Sequence, residues 1–175
     1  MACSQTLSGI VRDCLSNIGG IVEVYLANKA DVSAVTVSTN KVTGITMEAS
    51  AKFHKYSFNR NTGSLTSTYT IDPANGTRFV TSDLVLQFSR METTKRVEIS
   101  ALAAADLCAI VKDANGVYHF LGKDDALYAS AGDGQTGTAR ADRNGYSITL
   151  EDVSEELPLE VLVGDGGVDL SAIVA

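Results

Sequence analysis

Along most of this chain, apolar and polar residues alternate or gather in short apolar runs between turn residues. Ile21-Val22-Glu23-Val24-Tyr25-Leu26 follows the Gly19-Gly20 break and reads as a strand. Val35 and Val37 alternate with Thr36 and Ser38, and Ile45-Thr46-Met47-Glu48-Ala49 alternates again. Phe53 to Phe58 has strand alternation, Asn61-Thr62-Gly63 marks a tight turn, and Leu65 to Ile71 returns, rich in Thr and Tyr. These two segments predict a hairpin of low apolar content that stands out from the body as an arm. Further strands are predicted at Thr77–Val80, Asp83–Phe88, Leu107–Lys112, Val117–Leu121, Ala126–Ala131 and Tyr146–Leu150. Turns are expected at Asp113–Gly116, at Gly132-Asp133-Gly134 and at Asn144-Gly145. One helix is expected near 92–106, where Thr93 or Thr94 caps a run ending in Ala101-Leu102-Ala103-Ala104-Ala105. Leu157 to Val163 predicts one more strand. Gly164-Asp165-Gly166-Gly167 is a joint, and 168–175 is an apolar terminal peptide.

The pattern predicts a mainly β fold: an antiparallel β-sandwich or barrel with one flanking α-helix, a hairpin arm and an extended C-terminal tail. Its organisation reads as an N-terminal segment 1–20, a β domain 21–163 and a C-terminal extension 164–175. A free apolar tail is a liability in a monomer. Val168, Leu170, Ile173 and Val174 are therefore expected at a contact between subunits.

Composition narrows the function classes. The 175 residues include 45% hydrophobic and 20% charged residues, which excludes a disordered or fibrous chain. No stretch approaches a membrane-spanning helix. The first residues, Met1-Ala2-Cys3-Ser4, lack the basic and apolar regions of a signal peptide. The formal charge of −7 sits wholly in residues 151–175, because the seven acids after Leu150 face no base there. The neutral body lacks the clustered Lys and Arg of a phosphate-gripping surface. Three cysteines, Cys3, Cys14 and Cys108, give neither a disulfide framework nor a zinc pattern. Cys14 and Cys108 lie among apolar residues and are expected as buried thiols.

Catalytic chemistry finds little support. Gly132-Asp133-Gly134-Gln135-Thr136-Gly137 matches the dinucleotide glycine spacing, yet no helix follows to receive the pyrophosphate. His54 and His119 stand singly, and no G-x-S-x-G elbow is present. Lys123-Asp124-Asp125 lacks the spacing of a calcium loop. No catalytic residue, cofactor or metal site is assigned, and no enzymatic activity is expected.

The order of elements carries a resemblance. Gly19-Gly20-Ile21 leads into Val24-Tyr25-Leu26-Ala27, a long β segment follows, and a helix comes after Phe88. Then come Asp113-Ala114-Asn115-Gly116, Leu121-Gly122, the 132–137 glycine run and Asp142-Arg143-Asn144-Gly145-Tyr146-Ser147-Ile148-Thr149-Leu150. Over residues 10–150 this resembles virion structural proteins of tailed phages, those of Bacteroides-type hosts and the crAss-like group among them. The resemblance implies a tail-tube-like fold whose subunits form homo-oligomeric rings of six- or twelve-fold symmetry. Their strands join into an inner barrel that conducts DNA without specific binding. It further implies a virion protein of the tail tube or head–tail connector, assembled in the bacterial cytoplasm beside other tail or portal-proximal proteins. In that reading the Ser/Thr-rich 52–71 and the strands of 77–89 line the conduit. The same Ser/Thr-rich β surface also suits a glycan-binding or adhesion module, although the chain has no Trp.

Overall fold

A computed structural model describes residues 7–12 and 14–175. Cys3 lies outside the described residues. Among the described residues eleven strands and two α-helices follow one another as β1 (Ile21–Asn28), β2 (Val32–Ser38), β3 (Lys41–Met47), β4 (His54–Tyr56), β5 (Ser64–Asp72), β6 (Thr77–Ser89), α1 (Thr93–Ala104), β7 (Leu107–Asp113), β8 (Tyr118–Leu121), β9 (Tyr128–Gln135), β10 (Gly145–Ser154), β11 (Leu159–Val161) and α2 (Leu170–Ile173). They build a sandwich of two sheets and no closed barrel. The larger sheet runs β2-β3-β11-β8-β7-β1-β4 and the smaller β5-β6-β10-β9. The fold class and the single long helix are as the sequence pattern predicts.

Between the sheets lies the first core. Val24, Leu26, Ala109, Val111 and Leu121 from the larger sheet meet Leu84, Leu86, Ile148 and Leu150 from the smaller. Leu102 of α1 closes one side of it. The other face of the larger sheet is covered too. Tyr25, Ala27, Cys108 and Ile110 alternate with the first set and pack in a second core with Val42, Phe53, Phe120 and Val161. A strand covered on both faces has apolar residues at every position. That accounts for the unbroken runs in β1 and β7.

The hairpin arm has different strands from those predicted. β4 pairs with β1 in the larger sheet, at Val24↔Tyr56, and β5 pairs with β6 in the smaller, at Ser64↔Val85. Phe53–Phe58 and Leu65–Ile71 therefore lie in separate sheets. The long hairpin is β5–β6, with β6 one continuous strand through both predicted segments. Its turn is tied by Asp72, whose carboxylate accepts from the Ala74 amide at 2.9 Å. Gly132-Asp133-Gly134 is strand, not turn: it pairs with Ile148, Ser147 and Tyr146 of β10.

The C-terminal peptide does not extend away from the body. Gly167 N–H closes a turn on Gly164 O at 2.9 Å, and Val168 N–H returns to Leu162 O at 2.7 Å. A Cβ on Gly167 would stand 2.1 Å from Leu162 O, so the glycine is required by the close approach. Asp169 then caps the single turn of α2 through the Ser171 amide. The last residues clasp the 53 loop: Phe53 N–H donates to Ile173 O at 2.8 Å and Ala175 N–H to Phe53 O at 2.9 Å.

Candidate functional site

The four residues expected at a subunit contact lie on the chain's own second core. Val168 is fully buried there, and Leu170, Ile173 and Val174 pack against the same cluster. The tail closes on its own chain, and Leu170, Ile173 and Val174 stay partly exposed there. The physical reason is the opening left beside Phe53, on the outer face of the larger sheet, which the tail fills.

The expected chemistry is similarly dispersed. His54 is exposed on β4 and His119 stands 3.8 Å from Asp113 on β8. Cys108 is buried, and burial pushes its thiol up to about 12, which keeps it protonated and unreactive. Cys14 is exposed, against expectation, and so are the apolar Val11 and Leu15 near it. Among the described residues no group of three His, Cys, Asp or Glu side chains is placed to hold a metal ion. No helix of the described residues is long and apolar enough to cross a membrane.

The features that stand out are on the smaller sheet. Its ladders place β5, β6, β10 and β9 in antiparallel order. Leu65, Ser67, Leu84, Leu86, Ile148 and Leu150 point inward. The opposite positions point to solvent: Thr66 and Thr68 on β5, Thr81, Asp83, Val85 and Gln87 on β6, Ser147, Thr149 and Glu151 on β10, and Asp133 on β9. This outward face is rich in hydroxyls. It carries three carboxylates, and no strand contributes Lys or Arg to it. Arg143, from the β9–β10 loop, meets Asp133 at 2.5 Å, and Tyr128 donates to Glu151 at 2.5 Å. The Ser147 hydroxyl and Arg143 hold the Asp133 carboxyl below its usual range.

Both edges of this sheet are open. Among the described residues β5 and β9 each have a ladder partner on one side only. Neither contains Lys, Arg or Pro, the residues that ordinarily block strand addition. A third feature is the N-terminal segment, where Leu7, Ile10 and Val11 are almost wholly exposed. Its root is held by Asn115, whose side-chain oxygen accepts from the Ile18 amide at 2.9 Å. Sequence reading took the first half of β9 as a strand and ended it at Gly132-Asp133-Gly134, because glycine reads as a turn; its edge position is set by the tertiary structure.

One buried group stands apart. Asp152 points inward from β10 beside Ser82, and its Oδ1 has no hydrogen-bond partner among the described residues. Burial raises its carboxyl above the ordinary range, against a bond from the Gly122 amide.

The chain matches no protein-family model, no curated protein and no solved structure.

Proposed function

We propose that this chain is a structural subunit that assembles into rings and builds a DNA conduit, as a tail tube or a head–tail connector of a phage virion. The observation that carries the reading is the smaller sheet: a wet face lacking Lys and Arg on its strands, bounded by two unguarded edges. An exposed, unprotected edge is a template for another strand. Two such edges on one sheet invite head-to-tail pairing of copies, which closes into a ring when the rotation permits. Closure removes both edges of this sheet and turns its outward face toward a lumen. Such a lumen is lined mainly by Thr, Ser and carboxylates, with Val85, Gln87 and Phe79 among them. DNA passing through it meets no clustered bases, so the phosphates find no grip. The outward positions of β5 and β6 belong to the strands first expected to line the conduit. The exposed apolar N-terminal segment supplies a further contact to neighbours, either other copies or adjoining tail or portal-proximal proteins.

The test is light scattering with negative-stain images of the purified chain. Rings with an open centre are the expected result, together with no retention of duplex DNA at low salt. A compact 18.4 kDa monomer at tens of micromolar concentration, with no particles on the grid, counts against the proposal.

A further inference from the structure

We infer that Tyr69 and Ile71 of one copy fill the cleft between α1 and β9 of the next, and that this contact sets the step from copy to copy. The inference rests on the ring reading above and adds to it the contact and its register. The cleft has a volume of about 420 Å³ and is lined by Ile99 and Ala103 of α1, by Ala129 and Gly132 of β9, and by Tyr146 and Ile148 of β10. The inward positions of β9 are small, so α1 leaves apolar space open along a free strand edge. At the opposite edge the situation is reversed. Tyr69 and Ile71 occupy inward positions on β5, yet are 47% and 63% exposed, because no layer of the described residues covers them. One edge has apolar side chains without a cavity, and the other has a cavity without side chains. Both lie on the same side of one sheet.

The strand directions permit the meeting. Four antiparallel strands leave the two edge strands running in opposite directions. A copy related by rotation about a ring axis therefore presents its β5 antiparallel to β9, continuing the antiparallel order of the sheet.

The register adds a second constraint. Ser64 at the start of β5 is level with Val85, Thr149 and Ala131, while the rest of β5 runs past the beginning of β9. Full overlap of the two edges requires the next copy to slide by about four or six residues. Odd steps would turn Tyr69 and Ile71 to the wrong face. Across four strands spaced roughly 4.8 Å, with roughly 3.4 Å per residue, such a step is a tilt of about 35–47°. Closed barrels have strand tilts of about 35–45°. The offset between the two edges therefore matches what a closed barrel needs. The smaller step sets Tyr69 opposite Ala129 and the larger sets it opposite Gly132.

Cysteine pairs test this directly, in a chain carrying Cys3→Ser and Cys14→Ser. Tyr69→Cys is combined with Ala129→Cys in one variant and with Gly132→Cys in another. Within one chain these positions are separated by the width of the sheet, beyond disulfide reach. The expected result is a ladder of disulfide-linked multimers from at least one pair on mild oxidation. Thr70→Cys with Ala129→Cys faces the other side and stays monomeric. A second variant, Ala103→Trp, fills the cleft from an exposed position. It should raise the concentration needed for assembly by about tenfold or more while leaving thermal unfolding of the monomer unchanged. Rings that form without a ladder from either pair overturn this contact and leave the ring reading standing. A ladder from Ile10→Cys with Ala129→Cys, and none from Tyr69→Cys, gives the cleft to the N-terminal segment and overturns it as well. An unsubstituted chain that stays monomeric overturns both readings.

Discussion

The two sheets of this sandwich are built from the same strand chemistry and have different relations to water. The larger sheet is buried on both faces around β1 and β7: the first core takes Val24, Leu26, Ala109 and Val111, and the second takes Tyr25, Ala27, Cys108 and Ile110. The smaller sheet is buried on one face and wet on the other. The difference separates two roles. A sheet covered on both sides has only its edges left for other molecules, and stabilises the fold. A sheet with one free face and two unguarded edges has surface to offer a neighbour. The terminal segments follow the same division. The C-terminal peptide fills the second core, while the N-terminal one leaves Leu7, Ile10 and Val11 in solvent.

Mutations should separate the two sheets by the size of their effects. The largest loss is expected at Phe53, which is fully buried and clasped by the C-terminal residues. Phe53→Ala should cost about 3–5 kcal/mol in denaturant unfolding, through lost transfer energy and the cavity left behind. Truncation after Gly164 should cost about 2–4 kcal/mol, since it exposes the cluster that Val168 and α2 cover. An unchanged unfolding midpoint would show the tail to be a bystander and return it to the role of a free contact.

Asp152 gives a smaller effect whose sign depends on pH. Its folded carboxyl binds the proton more tightly than the unfolded one, because burial disfavours the charge. The stability from this group is complete below the ordinary carboxylate range and is lost as pH rises through the raised value. Asp152→Asn keeps an acceptor for the Gly122 amide and removes the buried charge. Thermal unfolding should therefore move up at pH 7 and stay in place at pH 3; equal shifts at both values would contradict the account. The smallest effect belongs to the wet face, where Thr68→Ala should change stability by less than about 0.5 kcal/mol. A larger loss at Thr68 would mean that this face is covered within the chain.

Legibility followed the same division. The alternation of β6 and β10 was readable because one face is wet, and the Asn115-Gly116 turn between β7 and β8 was readable from its own chemistry. The runs of β1 and β7 were readable as strands, but the layer covering their second face was not. The predicted partner of Leu65–Ile71 was wrong because Phe53–Phe58 is adjacent in sequence, and pairing was decided instead by which sheet each strand's apolar side could join.

Local chemistry in the chain was enough to determine its strand content, its one long helix and the concentration of net charge in the last residues. Periodicity, propensity and charge are properties of neighbouring residues, so a linear reading reaches them. Tertiary structure alone decided where the apolar tail goes, which strands stand at the edges of the smaller sheet, and that Tyr69 and Ile71 are uncovered while a cleft stands open beside β9. Each of these depends on the layer opposite. Burial is settled between segments far apart in sequence, and an apolar residue is written the same way whether its own chain covers it or leaves it for a neighbour.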